Sequence, residues 1–338
     1  MEKNVDLATV TMKPSEVTSA LTVLVKLRQA GFVWGGPGVG KSMLTAQLSK
    51  ALNVNIIDYR ALLRDPIDLR GLPIPNLDTM TSVWLPPDEF PKSGSGIFFM
   101  DELNAAPPLV QAACYQLVLD RKVGEYKLPD GWAIIAAGNR ETDRAVAHRM
   151  PSPLANLFVH LNFEPDLDDW KVWAFNHNIA PELIAFLTWK ESLLYAFNPA
   201  LNEKAFPTPR SWEFVSNILS HNGSSHVFPL IAGSVGPGAA SELMGFIKIY
   251  RNLPDPRQVI ANPTKADVPG APDVMFALCG ALTSLCDKKT FGAIVKYSMR
   301  IPGDFSVLLI RDCTRKDRSV LETKHFIEWA AANADVVL

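Results

Sequence analysis

The residues best suited to chemistry stand in one short segment near the start of the chain. Residues 35–42 match the pattern G-x-x-x-x-G-K-[ST] and directly follow the apolar run 32–34. In such a loop, backbone N–H groups turn inward around phosphate groups, and the helix that follows adds the positive end of its dipole. Lys41 is then placed to reach the β- and γ-phosphates of ATP, and the Ser42 hydroxyl to ligate Mg²⁺. The predicted nucleotide-binding residues are Gly35, Gly36, Pro37, Gly38, Val39, Gly40, Lys41 and Ser42.

A pair of carboxylates follows the apolar run 96–100. Carboxylates at the carboxyl edge of a strand face the crevice where open α/β sheets bind ligands. We expect Asp101 to hold Mg²⁺ through water, and Glu102 to orient and polarise the water that attacks the γ-phosphate. The Glu102 carboxylate favours a hydrolysing NTPase over a small-molecule kinase, because a kinase needs a hydroxyl acceptor rather than an activated water.

A polar amide, that of Asn139, ends the apolar run 134–138. At the end of a strand it could contact the γ-phosphate or the attacking water. It could equally be a helix cap, and the residues alone leave both interpretations open. His148, His160 and His177 are scattered without metal-ligand spacing, so no chemistry is assigned to them.

The elements that must position these residues alternate between strand-like apolar runs and helical periodicity. This alternation indicates a parallel sheet covered by helices on both faces, and hence an α/β P-loop fold. Beyond Pro165 helical periodicity dominates. We therefore predict a nucleotide-binding αβα domain over residues 1–164, followed by a mainly helical lid and C-terminal helical region over 165–338. Two hairpins are expected to interrupt the first domain, at 71–84 and 122–131.

The predicted elements have approximate bounds. The strands are 32–34, 54–59, 96–100, 132–137 and 158–163. The helices are 14–29, 41–52, 107–121, 167–176, 181–195, 209–219, 239–250, 272–286 and 320–331. A loop-rich break at 252–272 is expected to divide the helical part.

The composition limits the partners. A net charge of −2 comes from 33 basic and 35 acidic residues without long blocks, and the absence of a basic stripe argues against nucleic acid. Since no early run resembles a signal peptide or a membrane span, we expect a soluble cytoplasmic protein with no membrane partner. The cysteines stand apart without metal-ligand spacing, which favours reduced packing thiols over a metal site. They are Cys114, Cys279, Cys286 and Cys313.

Five segments occur in an order that is typical of one family. They are 35–42, 101–104, 137–139, 149–156 and 208–212. With these segments the sequence resembles the AAA+ ATPases, and within them the MoxR family, over about residues 10–220. The resemblance implies that Asn139 is the sensor 1 residue, and that Arg210 is the sensor 2 arginine reaching from a helical lid to ATP. It also implies that the hairpins at 71–84 and 122–131 are the family's insertions, within helix 2 and before sensor 1.

The resemblance further implies an assembly. AAA+ proteins of this kind form homo-oligomeric rings, usually hexamers, with ATP and Mg²⁺ bound between subunits. The family pattern would place an arginine finger where this sequence has Leu157. Such a finger contributes ~10³–10⁵ in rate, so its loss should nearly silence the site. Arg149 or Arg144 could supply the charge instead, or both could be solvated helix charges. A slow ATPase that a partner stimulates is the alternative.

Three functions are open at this stage. The first is an ATP-driven remodeller of a protein client, since MoxR-like proteins are generally paired with an adaptor that carries a von Willebrand factor A domain. The second is a DNA-acting AAA+ motor, against which the near-neutral charge argues. The third is a nucleotide-gated scaffold that assembles on ATP but hardly hydrolyses it, and Leu157 is the feature that favours it.

Overall fold

The chain folds into two compact units. The computed structural model describes residues 10–143, 150–221 and 226–333. The first unit contains the described residues up to Pro165 together with 198–202, and the second unit contains residues 166–197 and those from Glu203 onward. Each unit has its own buried apolar core.

The first unit is built on strands that follow the apolar runs of the sequence. The strands are β1 (Thr11–Met12), β2 (Gly31–Trp34), β3 (Asn55–Arg60), β4 (Leu72–Asn76), β5 (Thr81–Leu85), β6 (Ser95–Asp101), β7 (Lys122–Val123), β8 (Tyr126–Lys127), β9 (Gly131–Gly138) and β10 (Val159–Phe163). Six of them form one parallel sheet in the order β1-β10-β2-β9-β6-β3. The helices of this unit are α1 (Pro14–Leu27), α2 (Lys41–Ala51), α3 (Pro66–Arg70), α4 (Pro108–Asp120) and α5 (Ser152–Ala155).

The central strands have continuous apolar runs, as expected where both faces of a sheet are covered. In β6 and β9, the side chains of residues 97–100 and 132–137 are all buried. The register pairs Trp34 with Gly138, and Met100 with Ala136. Since β2, β9 and β6 are parallel neighbours, the segments that follow them meet at the same edge of the sheet.

Two antiparallel hairpins stand apart from the main sheet. One joins β4 to β5 and the other joins β7 to β8, where hairpins were predicted at 71–84 and 122–131. The first hairpin exposes apolar side chains, with Leu77 and Met80 more than three-quarters exposed at its turn. A side chain at Gly71 would collide with the Leu85 carbonyl, and its φ of 83° also favours glycine.

The second unit is helical. Its helices are α6 (Leu167–Asn176), α7 (Pro181–Trp189), α8 (Pro209–Ser220), α9 (Val227–Val235), α10 (Pro237–Arg251), α11 (Pro256–Ala261), α12 (Pro272–Ser284), α13 (Phe291–Ser298), α14 (Gly303–Lys316) and α15 (Lys324–Ala332). They surround two apolar clusters, and α12 contributes buried residues to both. Lys171 and Asp312 form a buried ion pair with Nζ and Oδ1 2.7 Å apart.

The α/β class, with a parallel-sheet P-loop core followed by a mainly helical part, is confirmed. Some boundaries in the helical part were wrong. The helix predicted over 181–195 ends at Trp189, and the break predicted over 252–272 contains α11. Helices α9, α13 and α14 were not predicted from the sequence. Within the described residues, no helix has the length and apolar character that crossing a membrane requires.

Candidate functional site

The glycine loop lies between β2 and α2 at the carboxyl edge of the sheet. Gly38 and Gly40 have φ values of 74° and 105°, in the left-handed region that favours glycine. Gly40 is also the N-cap of α2, so no side chain caps the first N–H groups of that helix. The first turn of α2 carries no acidic residue. The loop therefore has the unblocked, electropositive helix start that suits phosphate.

The ammonium group of Lys41 is held at the mouth of this loop. Its Nζ donates to the Gly35 and Gly36 carbonyls at 2.7 and 3.0 Å. It also donates to Asn139 Oδ1 at 2.8 Å. Because Asn139 comes directly after β9, this contact joins the glycine loop to the neighbouring strand. The sequence left Asn139 open as a helix cap or a phosphate contact, and in the structure its amide oxygen faces Lys41.

The oxygen groups suited to a metal are also adjacent. Ser42 Oγ donates to Asp101 Oδ2 at 2.7 Å, and the backbone N–H of Glu102 donates to Asp101 Oδ1 at 3.0 Å. A hydroxyl and a carboxylate are the hard oxygen ligands that Mg²⁺ binds, usually together with phosphate oxygens and water. The donor set at this edge of the sheet therefore fits Mg²⁺.

Glu102 occupies a strained position between β6 and the short 3-10 turn Leu103–Ala105. Its φ of 54° is left-handed, which costs a non-glycine residue on the order of 1 kcal/mol and is common at functional sites. Among the described residues its carboxylate has neither a hydrogen-bond donor nor a cation as partner. The carboxylate is thus free to accept a proton or to orient a water.

A buried amide, to which the sequence analysis assigned no role, connects β6 to β9. Asn104 Nδ2 donates to the Asn139 carbonyl at 2.7 Å, and the Asn104 side chain is almost fully buried. In the sequence, Asn104 is a residue near a predicted helix start, although Pro107 is the N-cap of α4. Asn104 and Asn139 are 35 positions apart in sequence, so their contact could not be predicted without the order of the strands in the sheet.

Two further side chains fix the rim of the site. Arg140 donates to the Phe163 carbonyl at 3.1 Å and to Glu164 Oε1 at 3.2 Å, which joins the ends of β9 and β10. Trp34 Nε1 donates to His160 Nδ1 at 2.8 Å. The other ring nitrogen of His160 is 2.9 Å from the Ala155 carbonyl, so His160 is the Nε2–H tautomer and joins β2 to α5. Neither Arg140 nor His160 was predicted from the sequence to have a role at the site.

The arginines predicted for the site belong to other segments. Arg149 and Arg144 lie outside the described residues. Arg210 belongs to the second unit, where it is exposed in the first turn of α8. A cation at a helix N-terminus opposes the helix dipole, so helix stability does not explain it. Next to it, Trp212 is fully buried and donates to the Leu193 carbonyl at 2.7 Å, which holds this turn in place.

Leu157, where the sequence resemblance predicted an arginine finger, packs on the core of the first unit. Its side chain is partly buried against the apolar cluster that includes Leu154 and Phe158. It is therefore a packing residue of the first unit and carries no charge.

No family model matches this chain, and no curated protein matches it by sequence. Among solved structures, it is similar to a mutant of RuvB from Thermotoga maritima, with 14% identity over 80% of this chain and 82% of that one, at a TM-score of 0.39. It is also similar to NtrX from Brucella abortus in complex with ADP, with 13% identity over 98% of this chain and 69% of that one, at a TM-score of 0.39. At these identities and TM-scores, the roles of individual residues have to be inferred from contacts within this chain.

Proposed function

We propose that this chain is a Mg²⁺-dependent ATPase of the AAA+ type. One observation carries the proposal: polar groups at or just beyond the ends of β2, β6 and β9 meet in hydrogen-bonded pairs, Lys41 with Asn139 and Ser42 with Asp101. A cation for phosphate, a hydroxyl and carboxylate for Mg²⁺ and an amide beside the γ-phosphate are the parts that phosphoryl transfer needs.

Each residue then has a distinct task. The N–H groups of the glycine loop and α2 bind the phosphates, and Lys41 exchanges its loop carbonyls for phosphate oxygens. Ser42 and Asp101 hold Mg²⁺, which when bound neutralises the charge that develops on the transferring phosphoryl group. Glu102 accepts the proton of the attacking water, and Asn139 orients that water or the γ-phosphate.

The two units divide the work. The first unit, proposed as the nucleotide-binding domain over residues 1–164, contains every group named above. The second, proposed as the helical lid and C-terminal region over 165–338, carries Arg210 on a turn that buried Trp212 holds in place. In this proposal Arg210 is the sensor 2 arginine, which contacts the phosphates of ATP.

More specifically, we propose a MoxR-like ATPase that remodels a protein client. It acts as a homo-oligomeric ring, and a hexamer is the ring size to test first. In this proposal an adaptor with a von Willebrand factor A domain delivers a protein client in the cytoplasm. The supporting feature in this chain is the β4–β5 hairpin, whose exposed apolar side chains suit contact with other protein surfaces. Arg149 is assigned as the charge that reaches the neighbouring subunit's ATP.

The test is Glu102→Gln, which keeps the size of the side chain and removes the base. We expect this variant to bind ATP and retain it unhydrolysed, with turnover reduced by about 10²-fold or more. Glu125→Gln, a change to an exposed carboxylate in the β7–β8 turn, is the matched control and should turn over normally. Equal turnover in the two variants would remove Glu102 from the mechanism.

A second candidate is a nucleotide-gated scaffold. It is favoured by Leu157, because an apolar packing residue there supplies no charge to a neighbour's ATP. Single-turnover hydrolysis compared with ATP binding separates the two candidates. A scaffold would bind ATP and assemble without hydrolysing it, even at saturating protein.

A further inference from the structure

We propose that Asn104 is a positioning residue for hydrolysis, which acts by fixing the main chain of Asn139. The expected effect of Asn104 on ATP hydrolysis rests on the proposed function. The structural claim, that Asn104 holds the end of β9, stands on contacts alone.

The first observation is how Asn139 is held. Its carbonyl accepts from Asn104 Nδ2 at 2.7 Å, while its side-chain Oδ1 accepts from Lys41 Nζ at 2.8 Å. Asn139 lies just beyond the last residue of β9, where the sheet ladder no longer fixes the backbone. The Gly138 carbonyl still accepts from the Gly35 N–H, and the Arg140 N–H donates to Asp143 Oδ2. Between these two contacts, the hydrogen bond from Asn104 holds the carbonyl of Asn139 itself.

The second observation concerns the space beside Asn104. A Cβ added to Gly138 would lie 2.0 Å from Asn104 Oδ1, far inside van der Waals contact. Gly138 does not have the positive φ that would itself favour glycine. We infer that residue 138 is glycine because the Asn104 amide occupies the place that a side chain would take there.

The third observation is that the main chain at Asn104 accepts a hydrogen bond from a side chain of α4. Gln111, also nearly fully buried, donates through Nε2 to the Ala106 carbonyl at 2.9 Å and to the Asn104 carbonyl at 3.5 Å. A continuous series of contacts thus runs from Gln111 through Asn104 and Asn139 to Lys41. Within the described residues, Asn104 Oδ1 and Gln111 Oε1 are buried and accept no hydrogen bond. The Nδ2 and Nε2 contacts are therefore the hydrogen bonds that hold these two buried amides in place.

The test uses Asn104→Asp, which keeps the shape of the side chain but has no amide donor. Hydrogen–deuterium exchange is measured on the full chain for the peptide that contains 138–139, with the β10 peptide 159–163 as internal control. We expect exchange about tenfold faster at 138–139 and unchanged in β10, since local opening is controlled by local hydrogen bonds. If Asn104→Asp folds poorly, Asn104→Ser, which is smaller and uncharged, serves the same test. Unchanged exchange at 138–139 in a folded variant overturns the proposal.

Single-turnover ATP hydrolysis then separates positioning from general structural support. Asn104→Asp should slow hydrolysis about tenfold and leave ADP affinity unchanged, and adding it to Asn139→Ala should cause no further loss, because both changes break the same link. If the double variant lost the product of the two single losses in rate, Asn104 would act independently of Asn139. If Asn104→Asp lowered ADP affinity together with the melting temperature, Asn104 would only support the fold. If the wild-type chain hydrolyses no ATP, the proposed function fails, and the exchange result alone decides whether Asn104 holds Asn139.

Discussion

The Ser42 hydroxyl donates a 2.7 Å hydrogen bond to the carboxylate of Asp101. The two residues are far apart in sequence, and each lies at the end of a structural element: Ser42 at the start of α2 and Asp101 at the end of β6. This contact places the two oxygen groups proposed for Mg²⁺ side by side. The geometry of the proposed metal site therefore follows from the position of β6 in the sheet, and it can be tested residue by residue.

Removal of the Ser42 hydroxyl should weaken Mg²⁺-dependent binding specifically. We expect Ser42→Ala to lower the affinity for Mg²⁺–ATP about tenfold, because one oxygen ligand is lost, and to leave Mg²⁺-free nucleotide binding unchanged. The control is Ser49→Ala on the same helix, whose buried hydroxyl donates to the Ala46 carbonyl. Titration of both variants with a fluorescent ATP analogue, with and without Mg²⁺, provides the measurement. An equal loss in Mg²⁺ and in chelator would exclude Ser42 as a ligand.

Loss of the Arg210 side chain should reduce ATP turnover, whereas loss of Arg257 should not. Arg257 has the same local setting, exposed and directly after a proline in the first turn of α11. If Arg210 contacts phosphates, Arg210→Ala should reduce ATP turnover about tenfold or more, while Arg257→Ala should have no effect. Comparable rates for the two variants would assign Arg210 to an ordinary surface position.

Arg149 is the proposed source of the finger charge. Arg149→Ala should nearly abolish turnover and spare ATP binding, since the finger stabilises the transition state rather than the bound nucleotide. Arg144→Ala provides the comparison, because Arg144 is the other candidate. Mixing each variant with the Glu102→Gln chain tests action between subunits. Undiminished hydrolysis in Arg149→Ala would remove it as the finger.

Part of the fold and of the candidate site was predictable from sequence, because it depends on local patterns. The glycine loop and the apolar runs of β6 and β9 identify the strand ends, and an α/β sheet places them at one edge. The roles of Asn104 and Arg140 were not predictable, since their partners are distant in sequence and become neighbours only in the folded sheet. Among the helices, α9 was missed because it contains a proline and a glycine, which usually interrupt helices.

The buried ion pair of the second unit should be sensitive to loss of one partner. Lys171 is almost fully buried, and burial lowers the pKa of its ammonium group while Asp312 opposes that shift. Lys171→Met should lower the free energy of unfolding by about 3 kcal/mol, because the Asp312 carboxylate loses its closest cation. The double variant Lys171→Met with Asp312→Leu should recover most of this loss, and Lys288→Met at an exposed pair should cost little. Urea denaturation tests these values, and a small effect for Lys171→Met would contradict them.

Stability should also fall in alkali through the buried thiol of Cys114. Burial raises the pKa of this thiol to about 12, above the value of 9.0 that it has when exposed. Between these values the unfolded chain loses the proton that the folded chain keeps, so the free energy of unfolding decreases as pH rises. From pH 8 to pH 10 the wild type should lose about 1–2 kcal/mol more than Cys114→Ala. Equal losses in the two proteins would show that Cys114 does not contribute.

The most direct measurement of the central claim is phosphate release by the purified chain with ATP and Mg²⁺, compared with Lys41→Met. The substitution removes the ammonium group that donates to Gly35, Gly36 and Asn139 and keeps a side chain of similar length. We predict release by the wild-type chain that requires Mg²⁺ and is lost in Lys41→Met. Release that is the same in both proteins, or that persists without Mg²⁺, would contradict the assignment of this loop as the ATPase site.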